Sequence, residues 1–181
     1  MSKFKLKDFL EKELEAYKSS FKQTSYDDAH QQYLCQDESR PDVYNFDEYI
    51  KANYNKSRLP ASPDAIHIDN KRLYCVEFKN QRSSQIDNHE IQRKFTNGTE
   101  ILQKMLKNFT PRDCQYHFYV VFKTGNKPRY FDYRHIQRST VLFNLEKLNQ
   151  DFNHFYDRIL TESIDFFIDE FQDLRCEGSK H

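Results

Sequence analysis

Three residues carry the most chemical content in this chain: the acids Asp64 and Glu77, and the amine Lys79 two positions beyond the second acid. Segments 64–68 (DAIHI) and 73–79 (LYCVEFK) are short, apolar and partly β-branched or aromatic, which is the pattern of paired strands. Residues 69–72 between them are a turn candidate, because Asn70 tolerates positive φ. A two-residue loop (Asn70-Lys71) and a four-residue loop over 69–72 both set Asp64 opposite Glu77. Directly opposed side chains share a face of the sheet with Cβ atoms roughly 4.5–5.5 Å apart, and the strand period of two puts Lys79 on that face beside Glu77.

Two facing carboxylates repel unless a cation or a shared proton relieves the cost. A hard divalent ion, Mg²⁺ or Mn²⁺, suits the pair: Mg²⁺ is usually held by one or two carboxylates, and takes water and substrate phosphate in its other positions. An ammonium at Lys79 can then position or deprotonate the attacking water, or offset charge on a phosphoryl transition state. The expected chemistry is metal-assisted phosphodiester hydrolysis. Gln81 follows the strand, where it can orient water or backbone phosphate. Arg82, Arg93 and Lys94 are candidate phosphate contacts, each of which also reads as an ordinary surface charge.

Written out as Pro63-Asp64 and then Glu77-Phe78-Lys79, these residues resemble the signature of the PD-(D/E)xK nuclease superfamily. The resemblance covers roughly residues 45–123 and implies a restriction-endonuclease-like core, with Asp64 and Glu77 as metal ligands and Lys79 as the catalytic lysine. The runs 76–81 and 87–95 are also similar to small members of that group. Members often add a carboxylate from a preceding helix, for which Glu48 is the choice ahead of Glu38, and a polar side chain from the following helix, for which Gln92 fits. Each has a plainer reading, Glu48 as part of a helix cap and Gln92 as part of a solvated face.

The elements that must position these groups follow from periodicity. Leu6, Leu10, Leu14, Tyr17 and Phe21 predict a first helix over 4–21, and 26–36 is an ambiguous helical stretch. Asn45, followed by Glu48, has the form of a capping box and predicts a helix that ends by 57–63. After the hairpin, 85–107 reads as a helix with Gly98 on its apolar stripe marking close packing against the sheet, 115–123 as a strand, 124–128 as a turn and 129–133 as a returning strand. From 144 to 174 the apolar positions predict one or two amphipathic helices split around 161–163. The expectation is a single α/β domain over 1–181: a helical part at 1–57, a mixed β-sheet flanked by helices as the nuclease-like core at about 45–133, and extra N- and C-terminal helices, the latter at about 144–174.

Composition fits a soluble folded protein, with 15% aromatic and 31% charged residues, 16 Phe, 12 Tyr and no Trp. Four cysteines lie without CxxC spacing and read as reduced thiols, with no structural zinc. Neither a secretory apolar region nor a bilayer-length apolar run occurs, which sets cytoplasmic as the expected location, with no membrane partner. Net charge is zero but unevenly spread. Residues 71–141 hold 14 basic against 6 acidic residues, and 141–176 hold 3 basic against 8 acidic. The basic middle points to nucleic acid as partner, DNA ahead of RNA. Tyr and Phe residues of 115–133 can stack bases or fill the core. The absence of a Gly-rich phosphate loop, HExxH or GxSxG removes P-loop, zincin and α/β-hydrolase chemistry. The rival expectation is a non-catalytic regulator that retains the fold and binds nucleic acid or a protein partner, favoured by the acidic C-terminal segment. A homodimer through the Phe-rich stripe of 148–174 is a further expectation.

Overall fold

The computed structural model describes residues 5–125 and 143–177. Its centre is a six-stranded mixed sheet. In spatial order the strands are β1 (Lys18–Ser19), β4 (Val43–Asn45), β5 (Ala65–Asp69), β6 (Arg72–Lys79), β7 (Gln115–Phe122) and β8 (Arg158–Ser163). A separate hairpin joins β2 (Tyr26–Asp27) to β3 (Gln32–Tyr33). Pairing is antiparallel from β1 to β6 and parallel from β6 to β8.

Strand alternation sorts the core into two layers. Leu73 and Cys75 of β6 and Phe118 and Val120 of β7 face one way. They meet α1 (Leu6–Leu14), α3 (Phe46–Asn53), α4 (Asn88–Met105) and α5 (Leu145–Asp151). Tyr74, Val76 and Phe78 with Tyr119 and Val121 face the other way, onto α2 (Phe21–Thr24) and α6 (Ile164–Glu177). Glu77 and Lys79 therefore fall on the α4 side, by the same period of two that buries their neighbours.

The central hairpin has the expected register, with Ala65 paired to Val76 and Asp69 to Arg72 around a two-residue loop. Asn70 takes φ 33°, the left-handed region that asparagine enters at low cost. Helix α3 begins where its cap predicts: the Asn45 side-chain oxygen accepts from the Glu48 backbone N–H at 3.0 Å. The parallel β6–β7 pair requires a crossover, and α4 supplies it.

Three segments depart from the sequence expectation. The helix predicted over 4–21 stops at Leu14 and passes through a 3₁₀ turn (Glu15–Tyr17) into β1 and the short α2. Phe21 belongs to the opposite core, with ring contacts to Phe78, Phe167 and Phe171. Burying it there takes the chain past the sheet edge, so tertiary packing overrides the local helical period. Residues 26–36 form the β2–β3 hairpin rather than a helix; Asp27 accepts from the backbone N–H groups of Ala29 and His30 and from the His30 ring, which fixes a turn. The break expected at 161–163 is the end of β8, whose Ile159 and Thr161 are buried while Leu160 is half-buried. The strand expected at 129–133 and most of the 124–128 turn lie outside the described residues.

Gly98 packs closely, but against Pro63 in the loop before β5 rather than against the sheet: a Cβ there would lie 2.7 Å from Pro63 Cδ. In an open helix, alanine would stabilise by up to about 1 kcal/mol. Here the rigid proline ring must shift and carry Asp64 with it, so Gly98→Ala should cost about 1–3 kcal/mol and lower the melting temperature by about 2–4 °C per kcal/mol. Thermal denaturation gives the sign directly; a rise would disprove the contact.

Candidate metal-dependent active site

Asp64 sits at a bend just before β5, and its carbonyl accepts from Phe46 N at 3.0 Å, which ties it to the start of α3. Its side chain extends the ladder: Oδ2 accepts from the Phe78 backbone N–H at 2.7 Å. That bond leaves Oδ1 turned toward Lys94, whose Nζ is 3.5 Å away. The side chain remains 24% exposed, so the site opens to solvent on the Asp64 side. Burial pushes its carboxyl upward, against the pull of the Lys94 charge and the Phe78 hydrogen bond.

Glu77 is fully buried. Its Oε1 lies 2.7 Å from Lys94 Nζ and 3.2 Å from Lys79 Nζ. Among the described residues its Oε2 has no hydrogen-bond partner. Burial, and next the Asp64 charge, push this carboxyl up to about 8, while both lysines pull it down. Lys79 continues to α4, where Nζ lies 2.5 Å from Glu90 Oε1. Lys94 is only 18% exposed; burial lowers its pKa, but the charges of Glu77 and Asp64 outweigh that and raise it, so it is held as an ammonium. The three predicted residues thus converge, with two α4 side chains closing over them.

Of those two, Glu90 has no counterpart among the sequence candidates, and Lys94 stands beside the carboxylates instead of at a free phosphate-binding position. A signal existed in the spacing: Glu90 and Lys94 are one helical turn apart and flank the buried stripe of Ile91 and Phe95. What spacing cannot supply is the rotation of α4 against the sheet, which follows from Ile91, Phe95 and Leu102 entering the core.

The other candidates are dispersed. Glu48 is not brought to the carboxylates: its backbone N–H takes the Asn45 cap, and its side chain, 56% exposed, pairs with Lys51 at 3.1 Å. The capping geometry points that side chain outward, and Asp47 is the α3 acid whose charge acts on Asp64. Gln92 donates to the Phe143 carbonyl at 3.0 Å and so holds the approach to α5 rather than the acid pair. Gln81 and Arg82 are exposed just past β6; the Gln81 carbonyl accepts from Lys123 N at 3.0 Å, and Arg82 N donates to Gln85 Oε1 at 3.3 Å. Arg93 is exposed on α4. In β7, Phe118 and Tyr119 are buried and Tyr116 and Phe122 half-buried, so core packing takes these aromatics. His67 faces the α6 side, opposite the acid pair, as the register required.

The donor set fits a hard divalent ion. No group of three or more His, Cys, Asp and Glu residues is gathered for a metal among the described residues. Two carboxylates are enough for Mg²⁺, which usually retains water. Glu77 Oε2 is the observation that bears on the fit, since a buried acid oxygen without a partner is costly unless a cation or a proton meets it. No family model, curated protein or solved structure matches the chain. Among the described residues no helix is long and apolar enough to cross a membrane.

Proposed function

We propose that the protein is a Mg²⁺- or Mn²⁺-dependent nuclease of the PD-(D/E)xK type, built on a restriction-endonuclease-like core, that hydrolyses phosphodiester bonds in nucleic acid, DNA in preference to RNA. The observation that carries this reading is the meeting of Glu77 and Lys79 on one sheet face with Asp64, which shares the Lys94 ammonium with Glu77 from the bend before β5, and a buried carboxylate oxygen left unpartnered. Asp64 Oδ1 and Glu77 would hold the ion. When bound, that ion supplies Lewis-acid polarisation of the phosphate and a water of lowered pKa. Lys79, steadied by Glu90 at 2.5 Å, orients the nucleophile or offsets charge on the phosphoryl oxygens. Arg82 and Arg93, exposed just past β6 and on α4, follow the backbone of the substrate.

Incubation of supercoiled plasmid, single-stranded DNA and RNA with Mg²⁺ or with EDTA tests this. Cleavage should require Mg²⁺ and should fall by about 10²-fold or more in Lys79→Ala. Equal outcomes with Mg²⁺ and EDTA on all three substrates, alongside failure to bind Mn²⁺, would refute it.

A second reading draws on the two lysines that already neutralise the acids: a non-catalytic regulator that keeps the fold and binds nucleic acid or a protein partner. Binding that survives both EDTA and Asp64→Ala would favour it over the enzyme.

A further inference from the structure

Lys94 and Lys79 approach the same buried carboxylate but are held differently. Each partner of Lys94, Glu77 Oε1 at 2.7 Å and Asp64 Oδ1 at 3.5 Å, belongs to the acid pair. Lys79 shares Glu77 at 3.2 Å, but its shorter contact, 2.5 Å, is to Glu90, which lies outside that pair. One ammonium therefore has its shortest contact outside the acid pair, whereas both short contacts of the other lie within it and the Glu90 charge reaches it only at longer range.

We propose that Lys94 is an internal stand-in for the metal ion: it bridges Asp64 and Glu77 when no divalent ion is bound, is displaced when one enters, and is then released to bind the phosphate of the substrate. This inference rests on the nuclease reading and goes beyond it by assigning a competitor to the metal site and coupling metal binding to substrate binding. The physical basis is charge. An ammonium on Asp64 Oδ1 and Glu77 Oε1 and a divalent cation on Asp64 and the neighbouring Glu77 Oε2 would crowd the same two carboxyl groups, where charges of the same sign repel strongly even in a polar site. Ile91 and Phe95, both buried, keep α4 in place while the long flexible lysine side chain moves. Part of that side chain already reaches solvent, 18% of it being exposed. Lys79, with Glu90 as its own partner, stays. Such an arrangement offsets the charge of the buried Glu77 beside Asp64 until an ion enters, and it makes metal and polyanion mutually reinforcing ligands.

The test is calorimetric titration of the full chain with Mn²⁺ for wild type, Lys94→Met and Lys79→Met. Lys94→Met should bind Mn²⁺ at least about tenfold more tightly than wild type, because a competing unit charge has been removed. Lys79→Met should change the affinity less. Equal or weaker binding by folded Lys94→Met overturns the stand-in role while leaving the metal site standing. Absence of Mn²⁺ binding in every protein overturns the nuclease reading, and this inference with it. Should Lys94→Met fail to fold, Mg²⁺ titration of wild type carrying ¹³C-labelled lysine decides the matter: the Lys94 ε-methylene signal should move to the position of a solvent-exposed lysine, and a signal that stays put overturns the proposal.

Discussion

Replacing Asp64 with asparagine is expected to reduce Mg²⁺-dependent cleavage by roughly 10²–10³-fold, the range seen when one electrostatic contributor to a transition state is removed. Asparagine is the right probe because it separates two roles of the same side chain. Its amide oxygen can still accept the Phe78 N–H that Asp64 Oδ2 takes at 2.7 Å, so the start of β5 stays docked on β6. The charge that would hold the ion disappears, and so does the repulsion that helps push Glu77 upward. Folding stability should therefore be unchanged or slightly higher while catalysis is lost. Single-turnover cleavage and thermal denaturation of the same preparation measure both. Undiminished cleavage, or activity lost only together with the fold, would contradict the role given to Asp64.

A second large effect concerns acid sensitivity and arises on the other side of the sheet. His67 is packed among Phe21, Tyr74 and Phe171, with its Nδ1 3.1 Å from the Asp42 carbonyl. Burial pushes the imidazole down to about 4; the nearby Arg40 charge adds to this, and the Asp42 carbonyl and the Asp69 and Asp42 charges oppose it. In the unfolded chain a histidine titrates near about 6.5. Between those values the unfolded state binds a proton that the folded state refuses, so stability falls as pH falls, by up to about 3 kcal/mol for this residue. The substitution His67→Asn keeps a donor for the Asp42 carbonyl but removes the titrating ring. It should lower stability at pH 7 through lost packing, yet shrink the difference between neutral and acid stability by about 2–3 kcal/mol. Urea denaturation at both pH values measures that difference. His117, also buried and pushed down to about 4, keeps its own contribution in both proteins, so the comparison isolates His67. An unchanged difference would mean that His67 accepts its proton in the folded state.

The parts of this protein that were legible in its sequence are those that local physics determines. The β5–β6 hairpin is one: a two-residue loop with a left-handed Asn70 fixes the register, and the register alone brings Glu77 and Lys79 to one face opposite Asp64. The Asn45 cap of α3 is another, since the accepting side chain and the donating N–H are three residues apart. Strand β8 was illegible because its short run lies among aromatics at helical intervals, and a strand that pairs with β7 in parallel has no hairpin turn to announce it. Phe21 continues the stripe of α1 in sequence but is claimed by Phe167 and Phe171 from the far end of the chain, a contact that no local window contains. The same reasoning covers the site. Glu77 and Lys79 are set by strand period and Asp64 by the Phe78 N–H that its side chain accepts just before β5, whereas Glu90 and Lys94 enter only through the docking of α4, and Glu48 falls away because its helix turns it outward.

The measurement that bears most directly on the central claim is anomalous diffraction from crystals grown with Mn²⁺. One strong peak is expected in contact with Asp64 and Glu77, with the previously unpartnered Glu77 Oε2 or its sister oxygen among the ligands and the Lys94 ammonium moved away. A map without a peak there at saturating Mn²⁺, in which both lysines still grip the acids, would contradict it.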